Sequence, residues 1–182
     1  MSKTIRIGSA GGFAGDTSVS APQLIEGGNL DYLVLDYLAE VTISLLARAM
    51  AKRPDTGYLR DFTDWIWKDN LREIADKGVK IVTNAGGINP HACRARMELL
   101  AKEAGVSLKI AVVEGDNIKP DLAKYVNNDF KDMFSGAPLP DPDSVLSANV
   151  YLGAFPIAEA LTAGADVVIT GRVVDSALAL GP

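Results

Sequence analysis

His91, the chain's one histidine, lies in Thr83-Asn84-Ala85-Gly86-Gly87-Ile88-Asn89-Pro90-His91, directly after the apolar run Val79 to Val82. Asn89 reads as a helix N-cap and Pro90 as the first helical residue, so His91 falls in the first turn. The partial positive charge of a helix start disfavours imidazolium, and a neutral ring there could act as a base or hydrogen-bond donor. An exposed first-turn histidine without a role is the plain alternative. Asp36 and Glu40 form a second candidate pair. Asp36 closes the apolar run Leu30 to Leu35, and Glu40 follows where a helical pattern begins. Carboxylates beside a buried strand end suit acid/base work; capping or solvation is the rival reading. Arg172, after Thr170-Gly171, offers a fork for carboxylate or phosphate. An ion pair with Asp175 or Asp166 rivals that. Asn84 and Arg172 are the residues suited to polarising a carbonyl.

Anion binding has two candidate cradles. Gly8, Gly11, Gly12 and Gly15 crowd the stretch Gly8-Ser9-Ala10-Gly11-Gly12-Phe13-Ala14-Gly15, with Asp16 and Thr17 just beyond. Backbone N–H groups of such a turn can point at a phosphate. The spacing matches no dinucleotide fingerprint, because Ala10 stands where the second glycine belongs, and no P-loop is present. Gly86, Gly87 and Asn89 form the second cradle. Asp16, Asp36, Glu40, Glu114, Asp116 and Asp175 could converge on a hard cation, but no local spacing demands it. One cysteine and one histidine exclude a zinc pattern, so no metal ligand is assigned. Cys93 and His91, two apart on a helix, face different directions and make no catalytic pair.

These residues need elements to position them. Strands are predicted at Thr4–Ile7, Leu30–Leu35, Val79–Thr83, Val106–Val113, Ala148–Leu152 and Asp166–Thr170. Helices are predicted between them. One, from Ser20 to Gly27, opens with a capping-box pattern Ser20-Ala21-Pro22-Gln23. A second runs from Ala39 to Arg53 with an apolar stripe of Val41, Leu45 and Ala49, and is stopped by Pro54. A third runs from Tyr58 to Lys77, with Phe62, Trp65 and Ile66 on one side and Gly78 as its cap. A fourth runs to Ala104, buries Cys93, Met97, Leu100 and Ala104, and is capped by Gly105. A short helix is predicted near Asp121–Val126, ahead of the charged run Asn127–Asp132 and a proline-rich loop. Further helices are predicted from Pro156 to Gly164 and from Val173 to Leu180. Alternating strands and helices predict an α/β fold with a mostly parallel sheet flanked by helices, doubly wound and Rossmann-like; a partial (β/α) barrel is the alternative. In both, ligands bind at the carboxyl ends of the strands. The loops there carry the small and polar residues named above, together with Glu114 and Asp175.

The 182 residues suffice for a single domain, residues 1–182. Apolar residues make up 48% and charged residues 23%, near the globular norm. The net charge of −5, without a Lys/Arg cluster, speaks against nucleic acid. The apolar stretch Leu33–Met50 is broken by Asp36, Glu40 and Arg48 and falls short of a membrane span. The N-terminal stretch is too short and glycine-rich for a signal peptide. A cytoplasmic protein is expected.

"IRIGSAGGFAGDT", "KIVTNAGGINP" and "GADVVITGRVVDSALALGP" stand in this order along the chain. Together they resemble the acyclic terpene utilisation AtuA family. The resemblance implies the N-terminal portion of a longer family domain and a context of acyclic terpenoid catabolism through coenzyme A thioesters. It supplies no residue roles. The expectation is an enzyme or enzyme subunit handling a branched acyl-CoA or similar anionic substrate by hydratase, lyase or isomerase chemistry. Asp36, Glu40 and His91 would do the acid/base work. The cofactor is unknown, with CoA entering as part of the substrate. The alternatives are a non-catalytic binding or assembly subunit, and a truncated remnant. Expected partners are a small anionic molecule and a C-terminal companion polypeptide or a second copy of the chain.

Overall fold

The computed structural model describes residues 4–126 and 130–182; of the run Asn127–Asp132, the residues 127–129 lie outside them. Five parallel strands form one open sheet: β1 (Ile7–Ser9), β2 (Tyr32–Leu35), β3 (Lys80–Thr83), β4 (Ile110–Val113) and β5 (Val167–Thr170), in the spatial order β1-β2-β3-β5-β4. The sheet does not close, so the barrel alternative is excluded. The register pairs Val34 with Val82, Val82 with Val168, and Val112 with Ile169.

Alternation along the strands feeds two cores. Leu33, Leu35, Ile81, Ile110, Val167 and Ile169 face one side. Covering that side are α1 (Ser20–Gly27), a π-helical turn Phe62–Trp67 continuing into α3 (Lys68–Lys77), and α4 (Pro90–Ala104). Val34, Val82, Val113 and Val168 face the other side, under α6 (Phe155–Thr162) and α7 (Ala177–Leu180). Runs apolar on both faces are what a sheet buried between two helical layers requires. Asn89 caps α4, its side chain accepting from the Ala92 N–H at 3.3 Å, and Gly105 ends it in the left-handed conformation, as predicted. The remaining helices are α2 (Glu40–Lys52) and the short α5 (Leu122–Val126).

Five expectations need correction. The Ser20–Gln23 capping box does not form; the Ser20 hydroxyl instead donates to the carbonyl of Ala10, tying α1 to the first loop. The stripe Val41, Leu45, Ala49 faces solvent, with Val41 66% and Leu45 59% exposed. The inward side of α2 is Thr42, Ile43, Leu46 and Ala47. Trp65 is 44% exposed while Trp67 is fully buried. The π-turn explains the swap: an i→i+5 repeat puts Phe62 and Trp67 on one face, where an α-helix would pair Phe62 with Trp65 or Ile66. The two rings lie 6.4 Å apart, and the Trp67 indole N–H donates to the carbonyl of Met97 at 3.1 Å. Ala148–Leu152 is no strand. It makes two isolated bridges, Asn149 to Asn117 and Leu152 to Val173, and so crosses the carboxyl edge of the sheet instead of joining it. The last helix begins at Ala177, not Val173, because Val173 is held in the bridge to Leu152.

Candidate functional site

The strand order fixes where a cleft must open. The chain leaves β3 for α4 on one face, and leaves β5 for α7 on the other. β3 and β5 are neighbours, so their outgoing segments part company and expose the carboxyl edge between them. This is the switch point at which open α/β sheets bind ligands. Asn84 follows β3 there, and Gly171-Arg172 follows β5.

Close packing brings these corners together. A Cβ on Gly86 would stand 2.6 Å from the carbonyl oxygen of Thr170 and 2.8 Å from Cβ of Pro90, so the β3 corner rests directly on β5. Gly87 is packed beneath Leu46 of α2 and Gly57. Asn84, fully buried, accepts from the Tyr37 N–H at 2.7 Å and donates to Oδ1 of Asp36 at 2.6 Å. That second bond ties the Asp36 carboxyl, at the end of β2, to the β3 corner. Burial pushes the Asp36 carboxyl above its ordinary range; the Asn84 bond acts against this, the charge of Asp175 adds to it and that of Arg172 opposes it.

Arg172 is the centre of the arrangement and only 5% exposed. Its Nη1 donates to the carbonyl of Leu38 at 2.7 Å and to Oδ1 of Asp175 at 2.9 Å. Its Nη2 lies 3.8 Å from Oε1 of Glu40. The guanidinium sits 4.2 Å from the centre of the Tyr151 ring, within cation–π range. The Tyr151 hydroxyl donates to Glu40, and this bond above all holds the Glu40 carboxyl below its usual range. Nε of Arg172 is buried and has no partner among the described residues. Asp116, also 5% exposed, locks the corner from β4: its Oδ2 accepts from the Arg172 N–H and from Nδ2 of Asn149, each at 2.8 Å. Glu40, Ile43, Ser44, Ser147, Asn149, Tyr151 and Arg172 line a cavity of about 210 Å3.

Asp36, Glu40, Asn84, Arg172 and Asp175 thus form one connected group. His91 and Glu114 stand apart from it, paired with each other at 2.7 Å with both side chains well exposed. Asn89 braces its own surroundings, donating to the carbonyls of Pro54 and Thr56. In the first loop, Asp16 accepts from the Gly12 N–H at 3.1 Å and Thr17 from the Val19 N–H at 3.2 Å. A shallow cavity of about 290 Å3 lies over Gly11, Gly12, Asp16 and Thr17, and Gly8 sits against Leu30 and Leu24. The loop touches the central group through the Asp36 N–H, which donates to the carbonyl of Gly11 at 3.2 Å. Among the described residues no three His, Cys, Asp or Glu side chains are placed to hold a metal ion. Tyr151 and Asn149 were not legible as site residues. Their one signal was the length of the proline-rich loop that delivers them.

No helix among the described residues is long and apolar enough to cross a membrane. No curated protein and no solved structure matches the chain. The family model described as acyclic terpene utilisation family protein AtuA matches residues 5–182, nearly the whole chain, and the chain belongs to that family.

Proposed function

We propose that the chain is an enzyme, or an enzyme subunit, of acyclic terpenoid breakdown that does acid/base chemistry on an anionic carbonyl substrate at the β3–β5 switch point. Family membership suggests the role in acyclic terpene utilisation. One observation carries the finer reading: a carboxyl held above its ordinary range, Asp36, lies within electrostatic reach of the buried guanidinium of Arg172 at the β3–β5 switch point. Asp36 would take or return a proton beside a carbonyl, and the Asn84 amide holds its orientation. Arg172 would fix the carboxylate or polarise the carbonyl. Glu40 and Asp175 keep the guanidinium in place, and Tyr151 closes over it. Hydratase, lyase and isomerase chemistry all need such a proton carrier beside a polarised carbonyl. The compartment that fits this role is the cytoplasm.

Thermal-shift measurements against branched acyl-CoA thioesters, free CoA and nucleotides test the reading. The expected result is stabilisation by acyl thioesters that is lost in Glu40→Gln and kept in Lys68→Ala on the exposed side of α3. No response to any acyl thioester would overturn it.

A second reading has its own observation. Phe155 is 85%, Leu180 72% and Val174 44% exposed, all near the α6–α7 layer. Such exposure favours an assembly role, with a companion polypeptide or a second copy covering this layer. Sedimentation velocity across a range of concentrations reads it directly, and a monomer throughout would leave only the companion chain.

A further inference from the structure

We infer that the polar cavity at Arg172 continues into a groove along α2 that takes the apolar chain of the substrate, so that the ligand is an amphiphile lying parallel to that helix. The inference deepens the function proposed above and rests on it.

The groove is defined by one face of α2. Glu40, Ile43 and Ser44 line the cavity at Arg172. Ala47, Met50 and Ala51 line a second cavity of about 270 Å3. These six positions recur at three- and four-residue intervals, which is a single helical stripe. Both cavities share Ser147 and Asn149 on their opposite wall, so they adjoin along α2. From Glu40 to Ala51 the stripe runs about 16 Å at the helical rise. Its polar groups gather at one end: a carboxylate and a hydroxyl beside Ile43 at the Arg172 end, then alanine, methionine and alanine. Ile88 and Leu146 complete the apolar end, with Asn117 and Lys119 on its exposed rim. Leu146 is 54% exposed although it borders the groove. Two small residues, Ala47 and Ala51, leave room where leucine would fill the space. Arg172 lines the polar end, where an anionic head would belong.

Isothermal titration with straight-chain carboxylates, butyrate to decanoate, tests this on the intact chain. Each added methylene is expected to tighten binding about three- to fourfold until the groove is full. Ala51→Trp, at an exposed position, should abolish the gain for the longer acids and leave butyrate binding unchanged. Arg172→Gln should weaken all acids alike and keep the dependence on chain length. Circular dichroism and the unfolding midpoint confirm that each variant is folded. Equal affinity across the series would overturn the groove while leaving the acid/base reading intact. A length dependence untouched by Ala51→Trp would overturn its location. A series in which no acid binds would overturn the groove as well, and the thioester thermal shift would then judge the acid/base reading separately.

Discussion

Gly171→Ala perturbs the corner at which β5 hands over to Arg172. A Cβ there would stand 2.6 Å from the carboxyl carbon of Asp116. That carboxylate cannot simply yield, because it is buried and its Oδ2 holds both the Arg172 N–H and Nδ2 of Asn149. Admitting the methyl group breaks at least one of these bonds. Hydrogen bonds to a charged group contribute about 1.5–3 kcal/mol, and overpacking a filled site costs about 1–3 kcal/mol, two descriptions of largely the same displacement. The expected loss of stability is about 2–4 kcal/mol. Urea unfolding should show a lower midpoint with an unchanged slope. Asp116→Ala removes the obstacle, so in that background Gly171→Ala should cost less than about 0.5 kcal/mol. The double-mutant cycle should therefore give an interaction energy of about 1.5–4 kcal/mol. If the two substitutions add to within about 0.5 kcal/mol, the carboxylate is not what makes Gly171 necessary, and the locked corner is refuted.

Asp36→Asn should stabilise the protein at neutral pH. Burial raises the folded carboxyl above the unfolded value of 3.8, so the wild type loses stability as pH climbs from that value through the raised one. Asparagine does not titrate, and its advantage should vanish below the unfolded value; a pH-independent difference in urea midpoint would contradict the assignment. Trp67→Ala should cost about 3–5 kcal/mol through the lost ring and its indole hydrogen bond to Met97, whereas Trp65→Ala, at a partly exposed position, should cost clearly less. Reversal of that order in urea unfolding would refute the π-turn.

Much of the fold was legible because strand and helix punctuation is local. Asn89-Pro90 and Gly105 bound α4, Gly78 ends α3, and the continuous runs at Leu33–Leu35 and Val167–Ile169 signal burial on both faces. What failed was non-local. Ser20 has the residue type of a cap, but the carbonyl of Ala10 competes for its hydroxyl. Ala148–Leu152 has strand composition, but Asn149 and Tyr151 are drawn to Asp116 and Glu40. The site was half legible for the same reason. Asp36, Asn84 and Arg172 follow strands whose apolar runs announce them. Tyr151 arrives from a loop whose path depends on contacts made far along the chain.

The misjudged face of α2 bears on function. Sequence periodicity alone assigns Val41, Leu45 and Ala49 to the core, since a surface helix ordinarily turns its largest apolar residues inward. In the folded chain Ile43 and Leu46 touch the core, and the neighbouring stripe of Glu40, Ser44, Ala47 and Ala51 borders the cavities. A helix that leaves Val41 and Leu45 in solvent forgoes burial it could have had, on the order of 1.5–3 kcal/mol for each large apolar side chain left outside. Such a helix is suited to being the wall of a cleft, not a pillar of the core. The tyrosine, the buried arginine and the raised carboxyl all lie at the end of α2 where that wall begins.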